Sequence, residues 1–300
     1  MNAPVTVASN TTKNSTTPAG FSPAKYGKVL EIGSGFTAMA FKEKDFSGGM
    51  DPLVMVDHYK MTMPTFGAHP HAGLSAVSVL FEDSEGKFHN RDTLGNDFDL
   101  MPGDLYWLKA GAGVVHDESP RTGSKIHGLQ VFVNLPSIYK TSEPESLHVE
   151  AHRVPVYEGN GSRVRILLGS SKGISGQQSP ALPMTILDGS TDSNGGFMHT
   201  LNGGENAWIY AVKGEITLTV SGREVHLSSG QSVAYSPLNK RTEQALQVSN
   251  SNDKSAHFVL FAAKPVGETF VQKGPFVMSS EAEIERIEAD FAAGKLGHLD

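Results

Sequence analysis

The chain contains no cysteine. That excludes a disulfide framework, a thiolate metal site and a cysteine nucleophile, so a tightly held metal would have to rest on His, Asp and Glu. No apolar run approaches the ~20 residues needed to cross a bilayer, and no membrane association is expected. Positive charge is in deficit: 25 Lys and Arg against 32 Asp and Glu give a net charge of −7. Nucleic acid and anionic lipid both need clustered cations, so direct binding to either is not expected. Also missing are a Walker-type glycine loop, a GxSxG elbow and an HExxH helix. The start of the chain lacks the basic and apolar segments of a secretory signal. Rich in Asn, Thr and Ser, residues 1–20 are expected to form a disordered leader, and the protein to reside in the cytoplasm.

Glycine is plentiful, at 32 residues, which favours many tight turns between short strands. From residue 24 to 136, runs such as SAVSVLF (75–81), DLYWLKA (104–110) and HGLQVFVNLP (127–136) lie between glycine-containing turns. His127, Leu129, Val131, Val133 and Leu135 fall on one strand face. An all-β sandwich or barrel is expected. Residues 137–162 are polar and read as a connection. A second β-rich stretch then repeats the first: Gly86, Gly95, Leu100 and Gly103 recur as Gly214, Gly222, Leu227 and Gly230. A repeat so widely spaced means a duplicated domain. The expected organisation is a barrel over 21–136, a linker over 137–162, a second barrel over 163–265 and an extension over 266–300. Within that extension, Ser280 and Glu283 form a capping box ahead of Ile284, Ile287 and Phe291, with Gly294 as C-cap, which predicts one amphipathic helix.

His69-Pro70-His71 puts two imidazoles on one strand face, roughly 6–7 Å apart along the strand. They could converge on an ion at ~2.1 Å from each nitrogen. An isolated HxH is as often a chance surface pair. His116 and Glu118 form a second such pair in the same repeat unit, with Asp117 on the opposite face. Three imidazoles and one carboxylate suit Fe(II), Mn(II), Ni(II) or Zn(II). His58, His89 and His127 are expected to be hydrogen-bonded scaffold residues; His148, His152, His226, His257 and His298 are expected at the surface. Tyr106 and Trp107 are expected in the core.

The segments DPLVMVDHYKM (51–61), HPHAG (69–73), RDTLGN (91–96), PGDLYWLKAGAGVVHDESP (102–120) and HGLQVFVNLP (127–136) closely resemble the pirin family of bicupins, as does GPFVMSSEAEIERIEADFAAGKLG (274–297). The resemblance implies two jelly-roll-like cupin barrels in tandem with a short C-terminal helix. It places one divalent metal, most often Fe(II) with Mn, Ni, Co, Cu or Zn as other occupants, on His69, His71, His116 and Glu118. Ala72 and Ser75 depart from the family's HPHRGFE pattern; Ser75 is expected on the ligand face, at the pocket mouth. In barrel two, the repeat offset puts Phe197, His199, Glu243 and Ala245 at the ligand positions, so that barrel is expected to be metal-free.

Pirins resemble quercetinases. The resemblance therefore implies a monomeric oxidoreductase that cleaves a flavonol-like aromatic substrate with O2, Glu118 serving as catalytic base as well as ligand. The alternative it implies is a non-catalytic redox or metal-sensing module that regulates a protein partner. A sugar isomerase would need a His–Tyr acid–base pair, which the sequence does not place.

Overall fold

Glycines in left-handed turns set the strand lengths. Gly86, Gly95 and Gly103, and their counterparts Gly214, Gly222 and Gly230, all have φ between 75° and 91°, where a Cβ is disfavoured. The repeat seen in the sequence is therefore a repeat of turns. The computed structural model describes residues 10–11 and 20–299. The expected leader lies outside the described residues, except that Asn10 and Thr11 pair with Gln272 and Val271 and Gly20 pairs with Ser236.

Each half of the chain builds one large and one small antiparallel sheet. The first large sheet has seven strands, in the order 145–149, 105–109, 74–80, 126–134, 53–61, 36–42, 28–32; its four-stranded partner runs 97–100, 88–92, 114–120, 69–71. The second half repeats this with an eight-stranded sheet and a four-stranded one. Two cupin barrels in tandem, with one short C-terminal helix, result.

The large sheets pack face to face. Val77, Val79, Trp107, Leu129, Val131 and Val133 of the first meet Leu167, Ile186, Trp208, Tyr210, Val259 and Phe261 of the second in one core. A strand between this core and a barrel lumen is covered on both sides. That is why Leu74–Leu80 is buried at every residue and shows little polar alternation. Trp107 lies in the core as expected, and Tyr106 lies in the barrel interior, donating its hydroxyl proton to Asp92.

The chain ends cross over. Gly20–Phe21 and Lys25–Tyr26 pair with Gln231–Ser236 of the second barrel. Within the stretch expected to link the barrels, Glu145–Val149 joins the first large sheet and Val156–Gly159 the second. The C-terminal strands Val271–Lys273 and Phe276–Met278 return to barrel one, where Phe276 bridges Ala72 and the Val277 amide donates to the Ala72 carbonyl. Ala72 is fully buried there beneath Phe276, Met278, Ile284 and Ile287. The larger Arg of the family pattern would not fit in this packing. The helix Glu281–Ala292 is capped by Ser280, whose Oγ accepts from the Glu283 amide. Glu283 reaches back to the Ser279 amide, one residue earlier than a standard capping box.

Candidate metal centre

The small sheet of barrel one carries the imidazoles. Its strand His69–His71 runs antiparallel to Val114–Pro120, with His116 opposite His69 and Val114 opposite His71. Alternation turns all three imidazoles into the lumen. The Nε2 atoms of His71 and His116 lie 3.0 Å apart, and those of His116 and His69 lie 3.1 Å apart. Adjacent ligands at ~2.1 Å from an octahedral ion are separated by about 3.0 Å, against about 3.4 Å for a tetrahedral one. The observed spacing fits the octahedral arrangement.

The protons of this cluster support the same reading. His69 Nδ1 lies 2.8 Å from the Gly67 carbonyl, and His71 Nδ1 lies 3.2 Å from that of Pro275. Both contacts require Nδ1–H, so both Nε2 atoms are bare lone pairs. His116 has one ring proton to place, and its Nδ1 is buried without a partner. On Nε2 that proton serves one contact well and leaves Nδ1 an orphan; on Nδ1 it leaves three lone pairs converging. A divalent cation on the three Nε2 atoms would relieve the convergence of lone pairs, with the His116 proton then on Nδ1. Burial, followed by the neighbouring imidazoles, pushes His116 well down and His71 to about 3; burial lowers His69 as well. All three are thus neutral near pH 7, the state in which an imidazole can coordinate a metal.

Glu118 shares the lumen face of the same strand, but its carboxylate is not among the ligand atoms lying within 4.8 Å of one another, which are those of the three histidines. Its Oε1 accepts from Ser78 Oγ at 2.6 Å. Ser78 Oγ is also 3.0 Å from the Gln130 amide oxygen. A hydroxyl has one proton, so this contact is satisfied best when the amide nitrogen faces Ser78. Burial pushes the Glu118 carboxyl up to about 7; the Ser78 bond opposes this, while Asp117 and Asp92 add to it. Asp117 faces the other way and pairs with Arg91.

A cavity of about 230 Å³ opens over the cluster. Phe36, Met55, Met61, Phe66 and Phe132 give it apolar walls, and Asp57, Tyr59 and Gln130 add polar atoms. Gly274 and Pro275 of the C-terminal segment close one side. Ser78, Gln130, Asp57 and Tyr59 escaped the sequence reading, although alternation along Leu53–Met61 could have placed the last two.

Three expectations need correction. Ser75 is not at the pocket mouth: it shares a strand face with Val77 and Val79, which pack between the barrels. Gly73, at φ 71°, interrupts the alternation between the HPH strand and the next, reversing the parity. In barrel two, Phe197 pairs with Val248 and His199 with Leu246. The counterparts of His116 and Glu118 are therefore Val248 and Asn250, not Glu243 and Ala245. The connection at 237–243 is longer than its counterpart at 110–113 and shifts the offset. His199 is held there by Ser171 Oγ at 2.9 Å. Finally, His148 and His257 are half-buried, bonded to Asp104 at 2.8 Å and Asp188 at 2.6 Å. His58 and His127 do serve the scaffold: their Nε2 atoms are 2.7 Å apart, and they continue to Tyr210 and Asp83 on the face away from the imidazole cluster.

Comparison with known proteins agrees with this architecture. The pirin family model matches residues 36–133, and the model of the pirin C-terminal cupin domain matches residues 186–297. Human pirin is 30% identical over 249 residues, covering 83% of each chain. Among solved structures, a quercetin 2,3-dioxygenase from Acinetobacter baumannii shares the fold with a TM-score of 0.79 and 24% identity, over 94% of this chain and 99% of that one. A bacterial pirin from Escherichia coli, in complex with nickel(II), superposes with a TM-score of 0.61 at 17% identity, over 82% and 98%. With its paired barrels and its three-histidine cluster, the chain belongs to the pirin family.

Proposed function

We propose that this protein is a dioxygenase of the quercetin 2,3-dioxygenase type, opening the ring of a flavonol-like substrate with O2. In this reading His69, His71, His116 and Glu118 hold one first-row divalent ion, Fe(II) foremost. The observation that carries it is the convergence of three neutral imidazoles, with His116 Nε2 3.0 Å and 3.1 Å from those of His71 and His69, on the floor of a largely apolar cavity. When bound, the ion supplies Lewis-acid polarisation of a substrate oxygen and a path for electrons from substrate to dioxygen.

The rest is the work of the chain. Glu118, poised near neutrality, takes the proton of the substrate hydroxyl. Ser78 fixes one carboxylate oxygen and leaves the other free for that proton. Phe36, Phe66 and Phe132 cover the aromatic rings and exclude water. The name of the Acinetobacter relative and the nickel of the Escherichia coli one support such chemistry, and the same donor set accepts Mn, Co, Cu or Zn.

The test is turnover of quercetin by protein reconstituted separately with Fe, Mn, Ni and Co, followed by loss of visible absorbance and by oxygen uptake. Glu118→Gln is expected to lower kcat by about 100-fold or more. Full metal occupancy without turnover by any of these ions would favour the metal-sensing module that acts on a protein partner.

A further inference from the structure

The strand Leu53–Met61 divides its residues between two environments. Val56 packs in the core between the barrels and His58 bonds to Tyr210, while Met55, Asp57, Tyr59 and Met61 line the metal cavity. Asp57 is the anomaly on this wall. A carboxylate among apolar side chains is costly unless it is paired, yet no hydrogen-bond donor among the described residues reaches it. Its cross-strand neighbours are Ala40 and Gln130, and the Gln130 amide is engaged with Ser78. Burial pushes the Asp57 carboxyl up to about 6, which Lys42 offsets only in part. A carboxylate facing a cavity without a protein partner is matched by a ligand that brings the donor.

Its place in the sheet says which part of a ligand it would meet. Asp57 lies opposite Gln130, and Gln130 lies opposite Ser78, which holds Glu118. Two strand spacings separate Asp57 from Ser78, about 10 Å. A three-ring aromatic gripped at the Glu118 end is of that length, so its far hydroxyls fall beside Asp57. The cavity's other neutral polar side chains are Gln130, already engaged with Ser78, and Tyr59, whose phenol is buried without a partner; among the described residues Asp57 is the wall's one anionic acceptor away from Glu118.

We propose that Asp57 accepts a hydrogen bond from a distal ring hydroxyl and thereby selects polyhydroxylated over singly hydroxylated flavonols. This rests on the aromatic-substrate reading of the cavity given above. Asp57 is a recognition residue: it reads the end of the ligand remote from the imidazoles.

Quercetin and 3-hydroxyflavone test it, because they share the hydroxyketone head and differ in their other ring hydroxyls. Binding to Zn(II)-loaded protein, followed by calorimetry, avoids turnover. Wild type is expected to bind quercetin about tenfold tighter or better, the scale of one charge-assisted hydrogen bond. Asp57→Leu is expected to lose that preference while binding 3-hydroxyflavone at least as well as wild type, with zinc content unchanged. Asp57→Asn, isosteric and still an acceptor, is expected to fall between and guards against a folding defect in the leucine variant. A quercetin preference retained by Asp57→Leu, or absent from wild type, overturns the role of Asp57 and leaves the cavity's aromatic reading standing. Failure of wild type to bind either flavonol overturns both.

Discussion

The ring of His71 is oriented by Pro275, whose carbonyl lies 3.2 Å from His71 Nδ1 although the two residues are 204 positions apart. The segment bearing Pro275 is pinned by Lys140, a buried lysine whose ammonium donates to the carbonyls of Val277 and Gly73 at 2.9 Å and to Asn134 Oδ1 at 2.6 Å. Gly73 is left-handed, and a Cβ there would collide with the Val277 carbonyl. The outer hydrogen bond of a ligating imidazole sets its orientation and basicity.

Lys140→Met is therefore expected to act at a distance. It leaves three buried acceptors unpaired, costing about 3 kcal/mol or more. As the C-terminal segment loosens, Zn(II) affinity should fall by about tenfold. Thermal melting of the metal-free protein and calorimetric zinc titration measure the two effects separately. Zinc affinity equal to wild type in a destabilised variant would detach Pro275 from the metal centre.

His116→Leu exchanges an imidazole with an orphaned Nδ1 for an apolar side chain in a fully buried position. In chelator-treated protein the exchange removes both the orphan and the crowding of lone pairs, so the melting temperature should match or exceed that of wild type. Added Zn(II) should then raise the melting temperature of wild type and leave the variant unmoved, since binding stabilises only a protein that has the site. A variant less stable than wild type in the absence of metal would mean that the three imidazoles are not in conflict.

Much of this was legible in the sequence, because it is local. The pairs His69/His71 and His116/Glu118, at strand spacing, name residues that share the lumen face, and glycines repeated at a fixed offset mark the duplicated turns. What stayed hidden depends on pairing between distant strands. Ser78 meets Glu118 only because the strands are curled into a barrel, and Pro275 meets His71 only because the C-terminus returns to the first barrel. The misplacements of Ser75 and Glu243 have a common cause: counting residues assumes unbroken alternation and equal loops. One left-handed glycine or a lengthened connection moves every later side chain to a different face or position.

Asp57 carries a pH signature in the metal-free protein. An acid whose folded pKa is raised holds its proton more tightly folded than unfolded. Between the unfolded value of about 4 and the folded value of about 6, rising pH strips the unfolded chain first, and the contribution to stability falls across that window. Asp57→Asn removes the titration. It should match wild type near pH 4, gain on it through pH 6 and then level off, the plateau being about 1–2 kcal/mol after allowance for partial exposure. Urea unfolding of both proteins from pH 4 to 8 measures the difference. A pH-independent offset would assign the effect to packing instead.

A buried ion pair within barrel two also reaches barrel one through its arginine, and its dissection tests whether the barrels unfold together. Arg165 of barrel two donates from Nη1 to Asp188 Oδ2 at 2.9 Å and from Nη2 to the carbonyl of Gly103 in barrel one; His257 meets the other Asp188 oxygen at 2.6 Å. Burial alone would raise the Asp188 carboxyl, but His257 and Arg165 outweigh it and hold the group down. Its contribution is thus present above an unfolded value of about 4 and lost as pH falls below it. Asp188→Ala leaves the buried guanidinium only the Gly103 carbonyl and the half-exposed Glu82, 3.6 Å away, and should cost about 3 kcal/mol, whereas Arg165→Met combined with Asp188→Leu should recover most of that loss. Denaturant unfolding followed through Trp107 and Trp208, one from each barrel and both in the shared core, should show one transition for wild type and the double variant. If Asp188→Ala unfolds in two steps, the charge pair is what couples the barrels; one transition at lower denaturant assigns the coupling to the apolar face between the large sheets.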